Sequence, residues 1–434
     1  MQVSVEARQH AQALLDFIDQ SPSPWHAVDT VASRLKAHGF KNLRENEPWQ
    51  FKAGGKYFVV RDGGSIIAFV LGQQALADSG LRIVGAHTDS PGLRLKPHAA
   101  YSTEGLAQLG VEVYGGPILA TFTDRDLSLA GRVVLRTPEG LQTRLVKLEQ
   151  PMARLPNLAI HMNREVNEKG LVLNKQTGLP LIFGHAANST EAKQLLIDTL
   201  AGKLAVPADV IAGWDLTFYD TQRGSFWGME QEFIANSQLD NLASCHAALE
   251  ALLGTETPQA TSICALFDHE EVGSESATGA GGSFLLDVIE RICHSTHLTP
   301  EDKLRSFANS FFISADMAHA FHPNHAGSYE PCHHVQVNQG PVIKTNANQR
   351  YSTNAVTAAR FIHLCEQAEV PYQQYAHRTD LGCGSTIGPI MAAQLGIATV
   401  DVGNPMWAMH SLRESAGVLD HGYMIATLSR HYAS

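Results

Sequence analysis

The stretch that most constrains the chain is Phe267-Asp268-His269-Glu270-Glu271-Val272-Gly273. It follows Ser262-Ile263-Cys264-Ala265-Leu266-Phe267, an apolar run with the length and content of a buried strand. A strand that ends in one histidine and three carboxylates is poorly suited to stability. Such groups repel, or must be desolvated, unless something cationic holds them. Two adjacent glutamates can instead divide a task, one binding a metal and the other handling protons. Read alone, the stretch also fits an acidic surface turn, so the rest of the chain must decide.

With 434 residues the chain can bury a large core and exceeds one typical domain. Its 44% hydrophobic and 17% charged content describes an ordinary globular protein. A formal charge of −11 with no Lys/Arg-rich run argues against nucleic-acid partners. No apolar run approaches the about 20 residues of a membrane span. The opening residues, Met1 to Arg8, lack a basic region followed by an apolar core, so no leader is expected there. Six cysteines, Cys245, Cys264, Cys293, Cys332, Cys365 and Cys383, show no CxxC pairing, which suggests reduced thiols and a cytoplasmic location.

Ala7, Ala11, Leu14, Leu15 and Ile18 share one helical face before Ser21-Pro22-Ser23-Pro24 stops that helix, and a second helix runs from Trp25 to near Gly39. Residues 57–61 and 65–71, joined by Asp62-Gly63-Gly64, read as a hairpin. Residues 81–86 form the next strand, running into His87-Thr88-Asp89-Ser90-Pro91. From 92 to 233 short alternating runs, 111–114, 118–122 and 131–136 among them, are broken by Gly, Pro and Asp. Residues 190–201 give the best helix there. After 236, strands and helices alternate: a helix follows Asp240-Asn241, then come a strand at 262–267, a helix at 283–293 and a strand at 311–314. A strand at 341–344, a helix after Ser352-Thr353, a helix at 387–395 closed by Gly396, a strand at 397–402 and a helix from about Ala416 complete it. The expected fold class is α/β: an α/β/α sandwich catalytic domain around a largely parallel or mixed sheet, made of 1–91 and 234–434, with an inserted mostly-β domain at 92–233.

Each core strand is followed by groups that bind metals. His87 and Asp89 follow 81–86, Glu270 and Glu271 follow 262–267, Asp316 follows 311–314, and His410 comes after 397–402. Sites in open α/β sheets form at the carboxyl ends of strands. With Asp240 ahead of its helix, the set suffices for two divalent ions sharing a carboxylate. Singly, Asp240 reads as a helix cap, His87 as a core histidine, His410 as a loop histidine and Asp316 as a turn residue. Jointly these readings need several coincidences at one sheet edge, and the metal reading prevails. His269-Glu270 begins an HExxH pattern, but Gly273 stands where the second histidine is required. No GxSxG elbow supports a serine hydrolase.

Ordered blocks along the chain carry a resemblance. They include Ala86-His87-Thr88-Asp89-Ser90-Pro91, Ser237-Gln238-Leu239-Asp240-Asn241-Leu242, Asp268-His269-Glu270-Glu271-Val272-Gly273-Ser274 and Ser314-Ala315-Asp316-Met317-Ala318-His319-Ala320. They continue with Lys344-Thr345-Asn346-Ala347-Asn348-Gln349-Arg350-Tyr351, Gly382-Cys383-Gly384-Ser385-Thr386-Ile387-Gly388-Pro389 and Met409-His410-Ser411-Leu412-Arg413-Glu414. Together with Ser21-Pro22-Ser23-Pro24-Trp25-His26-Ala27-Val28, they make the sequence resemble the M18 metallopeptidases, the aspartyl aminopeptidases among the two-zinc aminopeptidases. The resemblance implies two divalent ions per subunit, Zn2+ with Co2+ or Mn2+ as alternatives. It implies Asp240 as the bridging ligand, His87 and Asp316 completing one site, and Glu271 and His410 the other. Asp89 would fix the ring of His87, and Glu270 would be the general base. His319 and Lys344 would contact substrate, and His161 would reach a neighbouring subunit's site. The inserted domain would build a tetrahedral homododecamer.

The expected reaction is release of the N-terminal residue from peptides with a free N-terminus, with Asp or Glu favoured because Lys344 could face a side-chain carboxylate. Alternatives are a preference for neutral residues such as leucine, carboxypeptidase or deacylase action on the same metals, and an inactive scaffold of the same fold.

Overall fold

A computed structural model describes residues 3–434; Met1 and Gln2, which head the segment read for a leader, lie outside the described residues. The chain divides into two compact units, one of Met1–Asp89, Gly224–Met409 and Glu414–Ser434, the other of Ser90–Arg223 and His410–Arg413. Among the described residues no helix is long and apolar enough to cross a membrane.

Four parallel strands carry the first unit. Leu81–His87 pairs with Thr261–Phe267 on one side and with Phe311–Ala315 on the other, and Phe311–Ala315 pairs with Ala398–Gly403. The hairpin Lys56–Arg61 and Ser65–Val70 adds antiparallel to Thr261–Phe267, and Lys41–Leu43 ends that side. Val342–Thr345 and Gln373–Ala376 extend the other edge, which makes a mixed nine-stranded sheet.

Side chains alternate between the two faces, as strand geometry requires. Val84, Ala86, Cys264, Leu266 and Ile313 pack into a core with helices Val5–Gln20, Leu239–Leu253, Ala355–Gln367 and Val418–Ala433. Leu81, Ile83, Ile263, Ala265, Phe267 and Phe312 pack the opposite way, against Phe284–Ser295 and Ile387–Leu395. Burial on both faces explains why these strands read as unbroken apolar runs. The sheet therefore forms the middle layer of an α/β/α sandwich. Gly396 closes its helix in a left-handed conformation at φ 64°, the stop expected of it.

A small second sheet joins Ser225–Trp227, Phe233–Asn236, Glu414–Gly417, Pro405–Trp407 and Ala318–His319. It had no clear sequence signal, because its strands are two to four residues long. It draws residues 224–233 into the first unit, where the expected insertion had run to Phe233. It also delays the last helix, expected from about Ala416, to Val418.

The second unit is built on a six-stranded antiparallel sheet in the order Gly140–Lys147, Leu127–Thr137, Ile211–Asp220, Gly92–Thr103, Leu106–Tyr114, Leu181–His185. Helix Ser189–Leu204 buries Ala192, Leu196 and Leu200 in its core, and Asn188 caps it by accepting from the N–H groups of Thr190 and Glu191. One expected strand is absent. Residues 119–122 form a 3-10 turn, in which the Thr121 hydroxyl donates to the Ile118 carbonyl and the Thr123 hydroxyl to that of Ala120, each at 2.7 Å. Such local side-chain bonds compete with a strand ladder.

Candidate metal centre

The carboxyl ends of the parallel strands lie level, with Phe267 paired to His87. His87 is the last residue of its strand and is buried with Asp89 and Asp240. Beyond Phe267 the chain cannot continue as a helix: His269 and Gly273 adopt positive φ of 64° and 99°, enclosing a 3-10 turn at Glu270–Val272. This turn, not an HExxH helix, aims Glu270 and Glu271. His269 is not among the clustered groups; its Nδ1 meets the Ser276 hydroxyl at 2.8 Å.

Asp89 organises the corner. Its two carboxylate oxygens accept the backbone N–H groups of Glu270 and Glu271, both at 3.1 Å. Its backbone carbonyl accepts from His87 Nδ1 at 2.9 Å, and its Oδ1 is 3.4 Å from the same nitrogen. With the proton on Nδ1, the lone pair of His87 lies on Nε2. That nitrogen stands 3.4 Å from Asp240 Oδ1, 3.5 Å from Asp316 Oδ1 and 4.0 Å from Glu270 Oε2.

Two ligands about 2.1 Å from one ion at the tetrahedral angle are about 3.4 Å apart. The His87–Asp240 and His87–Asp316 separations match that value. The ligand atoms of His87, Asp240 and Asp316 lie within 4.8 Å of one another, as do those of His87, Glu270 and Glu271. Burial pushes the His87 imidazole toward neutrality, but Asp240, Asp316 and Asp89 outweigh it and raise its pKa well above 6.5. Burial also raises Glu270 to about 8, with Asp316, Glu271 and Asp89 adding repulsion against the attraction of His87. A pocket that draws protons onto both an imidazole and a carboxylate has the charge balance that divalent cations would relieve.

Asp240 and Asn241 have non-helical backbone angles, so the helix proper starts after them. The Asp240 N–H donates to Glu414 Oε2 at 3.0 Å, while Asn241 Nδ2 donates to the Ala315 carbonyl at 2.9 Å. The Asp240 turn is thereby tied to the residue before Asp316. Glu414, buried at 1% exposure, was part of a recognised block but had no role assigned from sequence. Only its nearness in space to Asp240 reveals one.

His319 lies on the small sheet, half-buried, its ring 6.4 Å from that of His377 and 6.0 Å from Tyr375. Burial, then the charges of Lys344 and His377, lower its pKa to about 4, so it is neutral near pH 7. Lys344 is 2% exposed. Its Nζ donates to the carbonyls of Asp316 and Met317 at 3.0 and 3.1 Å and lies 3.7 Å from Asp316 Oδ2.

In the second unit, His410 has φ 68° and its Nδ1 donates to the Gly116 carbonyl at 3.0 Å, which places its lone pair on Nε2. His161 is exposed on a loop of that unit, between exposed Leu158, Ile160 and Met162.

An α/β/α sandwich with a histidine–carboxylate cluster at the carboxyl ends of its parallel strands defines a metallohydrolase. Comparison with known proteins narrows the class. The profile described as aminopeptidase I zinc metalloprotease (M18) matches residues 17–432, and the chain belongs to that family. It is an aminopeptidase, hydrolysing peptides. A probable M18 family aminopeptidase 2 of Pseudomonas syringae pv. syringae (strain B728a) is 48% identical over 425 residues, 98% of each chain. A structure of the Ape4 and Nbr1 complex superposes with TM-score 0.95 at 37% identity, covering 100% of this chain and 88% of that one. The mApe1 dodecamer of S. cerevesiae gives TM-score 0.85 at 29% identity, over 98% and 96% of the two chains.

Proposed function

We propose that the protein is a dinuclear zinc aminopeptidase that removes the N-terminal residue of peptides and favours Asp or Glu there. The observation that carries this reading is His87 Nε2 flanked by Asp240 Oδ1 and Asp316 Oδ1 at 3.4 and 3.5 Å, with Glu270 and Glu271 beside them. Asp240 would serve both ions, His87 and Asp316 completing one set and Glu271 and His410 the other. When bound, the ions would supply Lewis acidity for an attacking water, for the scissile carbonyl and for the substrate α-amine.

The chain's own groups do the rest. Glu270 Oε2 takes the proton of the attacking water and returns one to the leaving amine. Asp89, through the N–H groups of Glu270 and Glu271, holds that carboxylate in place. His319, neutral, contacts the substrate. The acidic preference draws support from the family resemblance and from a cavity of about 460 Å³ whose lining includes Thr345, Arg350, His377 and Arg378.

His161 would complete a neighbouring copy's site in a tetrahedral dodecamer. Support comes from the dodecameric relative and from the exposed apolar side chains around His161. The six free thiols support a cytoplasmic location. The test is zinc content per subunit together with cleavage of Asp-, Glu- and Leu-terminated peptides by stripped and zinc-restored protein. One ion per subunit would overturn the dinuclear reading, and faster cleavage of Leu peptides the acidic one.

A further inference from the structure

We infer that His269 is a positioning residue for Glu270, its ring holding the left-handed turn that aims the general base. The inference rests on the reading of Glu270 as that base given above. His269 has φ 64°, a conformation that residues other than glycine keep only where their surroundings hold it. Its ring is held from two edges. Nδ1 meets the hydroxyls of Ser276 and Thr278 at 2.8 and 3.2 Å, and Nε2 lies 3.6 Å from Asp268 Oδ2. With that carboxylate facing Nε2, the ring proton sits there and Nδ1 accepts from the hydroxyls.

The platform under the ring is itself anchored to the sheet. The Ser65 hydroxyl, on the strand Ser65–Val70, accepts the Asp268 N–H and donates to the Thr278 carbonyl, both at 2.8 Å. Ser276 Oγ accepts the Gly279 N–H at 2.9 Å. The Asp268 carboxylate lies against Gly64, where a Cβ would have no room. The peptide unit leading into Glu270 is fixed at both its polar atoms. Its carbonyl, that of His269, accepts the Ser274 N–H at 2.8 Å, and its N–H donates to Asp89 Oδ1 at 3.1 Å. The freedom left is rotation about the His269 backbone, and the seated ring removes it. The direction in which the Glu270 side chain leaves the turn is thereby set before substrate arrives.

Two substitutions in the full-length, zinc-loaded protein separate the ring from the backbone. His269→Gly accepts the positive φ freely and removes the ring. His269→Asn also tolerates that φ and places an amide oxygen where Nδ1 stands, able to accept from Ser276 and Thr278. His269→Gly should lower kcat about 10–100-fold, the usual effect of losing a group that orients a functional one, with KM and zinc content at the wild-type values. His269→Asn should recover most of that loss. In a Glu270→Gln background His269→Gly should cost little further, because its effect runs through that carboxylate. Should the glycine variant not fold, Ser276→Ala with Thr278→Val removes the same bonds from the other side and should lower kcat likewise.

A wild-type kcat in His269→Gly overturns the inference. So does an asparagine variant no better than the glycine one, and so does a full multiplicative loss in the Glu270→Gln background. A glycine variant whose lost activity returns on adding zinc would place the ring in support of the metals instead of the base, and overturns it too. Glu270→Gln that keeps more than about a tenth of wild-type kcat would remove Glu270 as the base, and this role with it. Glu270→Gln that is inactive beside a fully active His269→Gly overturns the role alone.

Discussion

Glu414 Oε2 accepts the backbone N–H of Asp240 at 3.0 Å, both residues being buried. The bond orients the peptide that carries the proposed bridging carboxylate. Glu414→Ala should therefore weaken zinc retention against a chelator by about 10–100-fold. Glu414→Gln, whose amide oxygen can still accept, should lose much less. Equal zinc retention in the Ala variant and wild type would show that the Asp240 turn holds without this support.

Glu270→Gln should stop turnover and leave zinc content unchanged, because it removes proton transfer and preserves size. The expected fall in kcat is about 10²–10⁴-fold, the range of general-base effects. Activity above about a tenth of wild type would remove Glu270 from the role.

Acid should unfold the protein partly through histidines that are buried neutral. Burial lowers His431 to about 3, with Arg82 adding repulsion and the Ile83 carbonyl opposing it. In the unfolded chain its pKa is near 6.5, so the unfolded state takes up the proton first. The stability it contributes is present above pH 6.5 and is lost as pH falls toward about 3. Each such group accounts for up to about 1.4 kcal/mol per pH unit in that window. His431→Gln, which can still donate to the Ile83 carbonyl, should flatten the dependence, read from urea unfolding between pH 7 and 5. An unchanged slope would rule His431 out as a source of acid lability.

His161 and Glu270 should complement each other between copies if His161 serves a neighbour's site. His161→Ala and Glu270→Gln, each impaired alone, should regain activity when co-expressed in mixed assemblies. Failure to regain it in mixed oligomers confirmed by mass would assign His161 to its own subunit or to no site.

The core was legible because its strands are buried on both faces: 262–267 and 311–314 could be read as apolar runs without any periodicity. The cluster was legible because His87, Glu270 and Asp316 each follow such a run. What escaped depends on contacts remote in sequence. Glu414 meets Asp240 across 174 positions. The small sheet has strands too short to carry a pattern. Lys344 was readable as a cation near the site, but the carbonyls that occupy it are backbone atoms, which leave no mark on sequence. Residues 118–122 read as a short alternating run, but the Thr121 and Thr123 hydroxyls and N–H groups bond back to the nearby Ile118 and Ala120 carbonyls.

The pairing of Leu81–His87 with Thr261–Phe267 also dictates when the molecule can be completed. During synthesis the first of these strands emerges with no central neighbour available until the chain has grown past Phe267. Ala398–Gly403, at the other side of the parallel group, comes later still. Sheets closed over such separations fold slowly, and their waiting edges are the surfaces on which nascent chains aggregate. The second unit's strands, 92–220, pair among themselves and can form during that interval. Production of soluble protein should then hinge on shielding the early hairpin and His87 strand until the ribosome has delivered nearly the whole chain.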